Sequence, residues 1–157
     1  MSMTIRPASV DDLDAINRII EAAIMTWDLP ERVKRLTLPT YKYNAMDLDH
    51  LEIVIAETDE GVVGVAAWEA ADNVDAPANK TAMLLHGIYV DPGQHRKGIG
   101  ARLFKAAELA VAQHRFDGVV VKAQKGSEPF YLAQGMHKLD VNDAKREYEN
   151  RFWKSLN

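Results

Sequence analysis

Residues 82 to 122 constrain the fold more than any other part of the chain. The apolar run AMLLHGIYV stops at Asp91-Pro92, passes through the basic turn GQHRKGIGAR, and reopens as the alanine-rich run LFKAAELAVAQ before a second apolar run, VVVKAQ. Ile99, Leu103, Ala106 and Ala110 lie on one helical face, and Phe116-Asp117-Gly118 closes the connection. Strand, helix and strand in that order make a crossover, and a crossover joins two parallel strands.

The turn itself needs an explanation that side chains do not give. A helix starting near Gly98 leaves its first N–H groups without intrahelical partners, and such a terminus attracts anions. Glycines let a phosphate approach the backbone closely, and Arg96 and Lys97 add charge beside the helix terminus. Residues 95 to 101 (His95, Arg96, Lys97, Gly98, Ile99, Gly100, Ala101) therefore form a candidate phosphate cradle. Two familiar glycine motifs fail on spacing. Gly93 and Gly98 have a P-loop interval, but Ile99-Gly100 stands where Lys-Ser/Thr is required. A dinucleotide fingerprint would place a small residue at the position held by Leu103.

Around this crossover the remaining segments read as a mixed α/β sheet protein. Thr4 to Arg6 predicts a strand, Ser9 and Asp12 a capping pair, and Leu13, Ile16, Ile20 and Ala23 one face of the following helix. Residues 25 to 50 mix prolines, aromatics and charges and predict a loop with one or two short helices. LEIVIAET and VVGVAAWEA flank Asp59-Glu60-Gly61 as an antiparallel hairpin, and Gly87 inside the next strand marks a bulge or a close backbone approach. Ser127, Pro129 and Gly135 delimit a last helix, MHKLD predicts a strand, and REYENRFWKSL fits strand and helix periods alike.

A chain of 157 residues suits a single domain spanning residues 1–157. No apolar run approaches the roughly 20 residues of a membrane span, and MSMTIRPASVDD has no apolar secretory core, so a cytoplasmic protein without a membrane partner is expected. With no cysteine, thiol nucleophiles and thiolate metal sites are excluded; a net charge of −4 argues against general nucleic-acid binding.

With the cradle placed on a strand-to-helix turn, YVDPGQHRKGIGARLFKAAE resembles the acetyl-coenzyme A motif of the GNAT superfamily of N-acetyltransferases, Gln/Arg-x-x-Gly-x-Gly/Ala. Gly98 and Gly100 match its small positions, and His95 stands where Gln or Arg is usual. Downstream, QKGSEPFYLAQGM resembles the family's Asn-x-x-Ala-x-x-hydrophobic-Tyr segment; Phe130, Tyr131 and Gly135 match, while Gln124, Ser127 and Met136 replace Asn, Ala and Phe.

The resemblance implies a mostly antiparallel central sheet with one parallel crossover and helices on both faces. It implies acetyl-coenzyme A as co-substrate, no metal, and transfer to an amine by direct attack. Main-chain groups of Ile88 and Val90, together with Tyr89, Gln124 and Tyr131, join residues 95 to 101 as cofactor contacts. Tyr131 becomes the general acid for the departing thiolate, a step about 2 kcal/mol uphill for a free phenol. His86 stands two residues after a position where some members keep a glutamate base and this chain has Leu84. His86 is one candidate base, with Glu69 in reserve; a hydrogen-bonded strand histidine is the structural alternative. Trp27, Tyr41 and Tyr43 fall in the segment that borders the acceptor cleft in the family, although core packing explains such aromatics equally. The acceptor is expected to be a small-molecule or peptide amine, and a homodimer is compatible with the fold. A rival reading is a non-catalytic acyl-coenzyme A sensor of the same fold.

Overall fold

The computed structural model describes residues 2–94, 97–141, 144–145 and 148–156. Its strands are β1 (Thr4–Pro7), β2 (Glu52–Thr58), β3 (Gly61–Ala70), β4 (Ala82–Val90), β5 (Gly118–Lys122), β6 (His137–Lys138) and β7 (Arg151–Ser155). Helices α1 (Leu13–Met25), α2 (Glu31–Tyr41), α3 (Ala45–His50), α4 (Ile99–His114) and α5 (Glu128–Ala133) intervene. The strands form one mixed sheet in the order β1-β2-β3-β4-β5-β7-β6. Its parallel pair joins Ala82–Leu85 of β4 to Gly118–Val121 of β5, with α4 as the crossover helix.

The chain divides into two compact units, one formed by Met1–Ala67 with Ile88–Leu103 and the other by Trp68–Gly87 with Phe104–Asn157. In the first unit, β1 pairs antiparallel with β2, from Thr4 opposite Glu57 to Pro7 opposite Val54. The isoleucines of α1 recur at helical spacing, so Ile16, Ile20 and Ile24 reach one cluster with Ile53, Ile55, Val65 and Tyr89. Asp12 accepts from Ser9 N–H and Oγ at the head of this helix, as the Ser-x-x-Asp spacing predicts, although a single 3-10 turn at Val10–Asp12 comes first. At its other end the buried Lys34 ammonium donates to the carbonyls of Met25 and Trp27, occupying acceptors that an α-helix terminus leaves open. The segment expected to be a loop with one or two short helices holds two helices, α2 and α3, the latter capped by Asn44 and Asp47.

In the second unit, β7 pairs antiparallel with both β5 and β6, Val120 facing Trp153 and His137 facing Trp153 from the other side. Strand wins over helix for residues 151 to 155 because Phe152 and Trp153 are both buried between two strand neighbours, where a helix could not complete the ladder. Trp153, Val120, Ala82 and Ala76 form the buried cluster of this unit, with Leu84 and Leu139 against it. Arg151, also buried, donates to the carbonyls of Val74 and Asp75, and Lys122 pairs with Asp75 at 3.1 Å. These contacts tie the β3–β4 connection down.

Candidate active site

The first unit carries the cradle. Gly98 has φ +76°, a conformation that β-carbon crowding disfavours, and among the described residues, its chain neighbours apart, no heavy atom lies within 4 Å of where its Cβ would stand. The helix that follows closes its first bond from Arg102 N–H to Gly98 O, so the N–H groups of Ile99, Gly100 and Ala101 precede the hydrogen-bonded ladder. Open space over a glycine, main-chain donors that precede the helical ladder and a 16-residue helix behind them fit a phosphate-bearing ligand. Lys97 is exposed and donates to Gln94 Oε1, and Gln94 Nε2 donates to Glu60 on the β2–β3 turn. The expected contacts at His95 and Arg96 lie outside the described residues.

Behind the cradle stands a residue that the glycine motif did not reveal. A Cβ at Gly64 of β3 would come within 2.9 Å of Ile99 Cγ2 and Leu103 Cδ1 and 3.3 Å of Tyr89 O. Gly64 therefore lets the first turns of α4 settle against the sheet, which sets the position of the open N–H groups. The signal was present in VVGVAA, a glycine inside a β-branched run. Asp91 N–H donates to Val63 O beside it and fixes where β4 ends.

Ile88, Tyr89 and Val90 form the last residues of β4. Tyr89 buries its ring in the α1 cluster, so its contribution to a ligand would be main chain. Among the described residues the pairs with β5 run from Ala82 to Leu85, and β4 continues to Val90. Gly87 has φ 158°, close to extended, so its place in the strand involves no left-handed turn.

The second unit carries the side-chain candidates. His86 Nε2 and Glu69 Oε2 lie 2.5 Å apart on β4 and β3, with their side chains 33% and 42% exposed. Base candidate and reserve are thus one hydrogen-bonded pair. Tyr131 is only 4% exposed, and its ring meets Phe130 edge-on at 5.2 Å. Its helix starts after Ser127 with Pro129 in the first turn, as expected, but Ser127 ends a 3-10 turn and makes no side-chain cap, because its backbone is already helical there. At the far end Gly135, with φ +90°, closes the helix, and Met136 N–H donates to Tyr131 O. Gln124 lies just before that 3-10 turn and is half-buried.

Trp27 and Tyr41 form an edge-to-face pair at 5.4 Å and, with Tyr43, pack partly buried on the α1 cluster. Core packing accounts for all three. Among the described residues no group of three or more side chains is arranged to hold a metal ion. Among them, too, no helix is long and apolar enough to cross a membrane.

A mixed sheet with a parallel pair joined by a crossover helix, opened by a positive-φ glycine at the head of that helix, is an α/β fold with a candidate anion-binding turn. The family model described as acetyltransferase (GNAT) domain matches residues 31–148, and the chain belongs to that family. The solved structure of the PaiA N-acetyltransferase from Thermoplasma acidophilum, in complex with coenzyme A, is similar with a TM-score of 0.78 at 16% identity over 99% of both chains. A GCN5-related N-acetyltransferase from Rhodopseudomonas palustris gives 0.76 at 20% identity, again over 99% of both. A GNAT family acetyltransferase from Brucella melitensis, in complex with acetyl-CoA, gives 0.67 at 18%, over 99% of this chain and 89% of the other. At such identities the likeness is one of fold. No curated protein sequence matches the chain.

Proposed function

We propose that the chain is an acetyl-coenzyme A-dependent N-acetyltransferase acting on a primary amine, with residues 1–157 serving as one catalytic domain. The observation that carries the reading is Gly98, held at φ +76° with open space above it at the head of α4, in a chain of the GNAT family. Main-chain N–H groups at Gly98 to Ala101 hold the pyrophosphate, as helix starts hold anions generally, and Lys97 adds charge at the rim. Ile88, Tyr89 and Val90 offer strand-type hydrogen bonds to the extended arm, and Gln124 adds a polar contact. Acetyl-coenzyme A supplies the activated acetyl group.

His86 takes a proton from the acceptor ammonium, the main chain of β4 steadies the oxyanion, and Tyr131 returns a proton to the thiolate. No covalent enzyme intermediate is needed, since a neutral amine attacks a thioester directly once both are aligned. Complexes of two fold relatives with coenzyme A and acetyl-CoA support the choice of ligand. The test is calorimetric titration with coenzyme A, followed by thiol release from acetyl-coenzyme A across a panel of amines. Binding with amine-dependent thiol release is expected. Binding without release from any amine would favour a sensor, and failure to bind would remove the cradle assignment.

A further inference from the structure

We propose that Glu69 is a positioning residue acting through His86, so that the two form a carboxylate–imidazole dyad whose working atom is His86 Nδ1; this rests on the acetyltransferase reading above. An ionised carboxylate can only accept hydrogen bonds, and Glu69 Oε2 stands 2.5 Å from His86 Nε2. That contact assigns the proton of the neutral ring to Nε2 and leaves the lone pair on Nδ1. The carboxylate also stabilises the imidazolium that forms when Nδ1 takes a proton, as the carboxylate does in other base–orienter pairs.

The surroundings leave Glu69 to this task. Lys122, the β5 residue following the last β4–β5 pair, is engaged at 3.1 Å by the buried carboxylate of Asp75. Arg151, opposite Lys122 on β7, donates to the carbonyls of Val74 and Asp75. Lys122 and Arg151 are thus turned toward the β3–β4 connection. Leu84, two residues before His86 and hence on its side of β4, belongs to the apolar cluster of Val120 and Trp153. The His86 side chain, 33% exposed, keeps access to solvent. A pair this exposed adds little to folding stability, so its geometry is free to serve chemistry.

In the step proposed, the acceptor ammonium passes one proton to His86 Nδ1, and the freed nitrogen lone pair forms the N–C bond to the thioester carbon. The C–S bond breaks, sulfur keeps its electron pair, and Tyr131 O–H protonates it. The second proton lost by nitrogen restores the Tyr131 hydroxyl through solvent, and the imidazolium releases its proton to water, one per ammonium consumed.

Nitrogen-15 imidazole spectra and steady-state kinetics on the full chain test this, using Glu69→Gln, His86→Gln and the double variant. The neutral wild-type ring should report protonated Nε2 and bare Nδ1. Glu69→Gln should lower kcat about tenfold or more with KM for acetyl-coenzyme A unchanged, and the double variant should be no slower than His86→Gln alone. A protonated Nδ1 with turnover intact, or losses that multiply in the double variant, would overturn the dyad and leave the acetyltransferase reading standing. Coenzyme A binding without thiol release from any amine would instead overturn the reading and the dyad together.

Discussion

The two compact units differ in the kind of candidate group each carries. The first contributes main chain: the end of β4 and the N–H groups after Gly98. The second contributes side chains: Glu69, His86 and Tyr131. A main-chain site tolerates changes of side-chain identity, but it does not tolerate added bulk or a changed φ. A side-chain site behaves in the opposite way, surviving changes that keep shape and failing when one functional group is lost.

The largest effect should follow from removing a single oxygen in the second unit. Tyr131→Phe keeps the ring that packs on Phe130, so melting temperature and coenzyme A affinity should hold. General acid catalysis is worth roughly 10²- to 10⁴-fold, and kcat should fall by about that factor under conditions where chemistry limits the rate. Near-wild-type kcat would assign the proton to water or another group and dissolve the contrast between the units.

The first unit should respond to shape instead. Gly98→Ala places a Cβ at φ +76°, which costs an L-residue about 1–2 kcal/mol and fills the open space over the turn. The Kd for coenzyme A, by calorimetry, should rise about tenfold, while kcat at saturation changes little. An unchanged Kd would remove the cradle from this turn.

This contrast also explains what was legible in the sequence. Main-chain sites leave glycines behind, and glycine spacing is readable, so the crossover, the parallel pair and the position of Gly98 all follow from the run between residues 82 and 122. The hairpin and the α1 face were equally plain, because β-branched runs flank a glycine-containing turn in the one and a helical period buries one side in the other. Less was visible wherever a contact joins residues far apart in sequence. Glu69 and His86 are 17 positions apart and meet only because β3 and β4 are sheet neighbours. Gly64 matters through atoms of Ile99 and Leu103, which no local window contains. The last strand was ambiguous because RFWKS alternates too briefly to exclude a helix, and its pairing with β5 and β6 decides the matter.

A smaller effect should come from the support of the cradle. Gly64→Ala brings a methyl within 2.9 Å of Ile99 Cγ2 and Leu103 Cδ1, and these side-chain ends can yield only in part because both residues are buried. Overpacking of this kind costs about 1–3 kcal/mol in stability. Coenzyme A affinity should weaken about threefold as α4 is displaced, less than for Gly98→Ala. A stability loss with no change in affinity would show that the position of α4 is not what sets the cradle.

The smallest functional effect should arise in the first unit away from the cradle. Arg6 grips Asp12 with two nitrogens at 2.9 and 3.0 Å and reaches Glu57 with Nε at 3.1 Å, linking β1 and β2 to the head of α1. The Arg6 guanidinium, together with the Ser9 N–H and hydroxyl, holds the Asp12 carboxyl at about 2 against an ordinary 3.8, overcoming the opposing effect of burial. Allowing for solvent screening, this contributes about 1–2 kcal/mol. Because the folded-state value lies below the unfolded one, the contribution is complete well above pH 3.8 and is lost as pH falls through about 2. Asp12→Asn should therefore destabilise the chain in urea at pH 7 by about that amount, with the gap to wild type narrowing as the pH is lowered toward 3. Its kcat should match wild type, since the network touches none of the groups proposed to handle protons. A stability gap that stays constant with pH would assign the loss to packing at the head of α1 rather than to charge, and a fall in kcat would show that the first unit does more than bind.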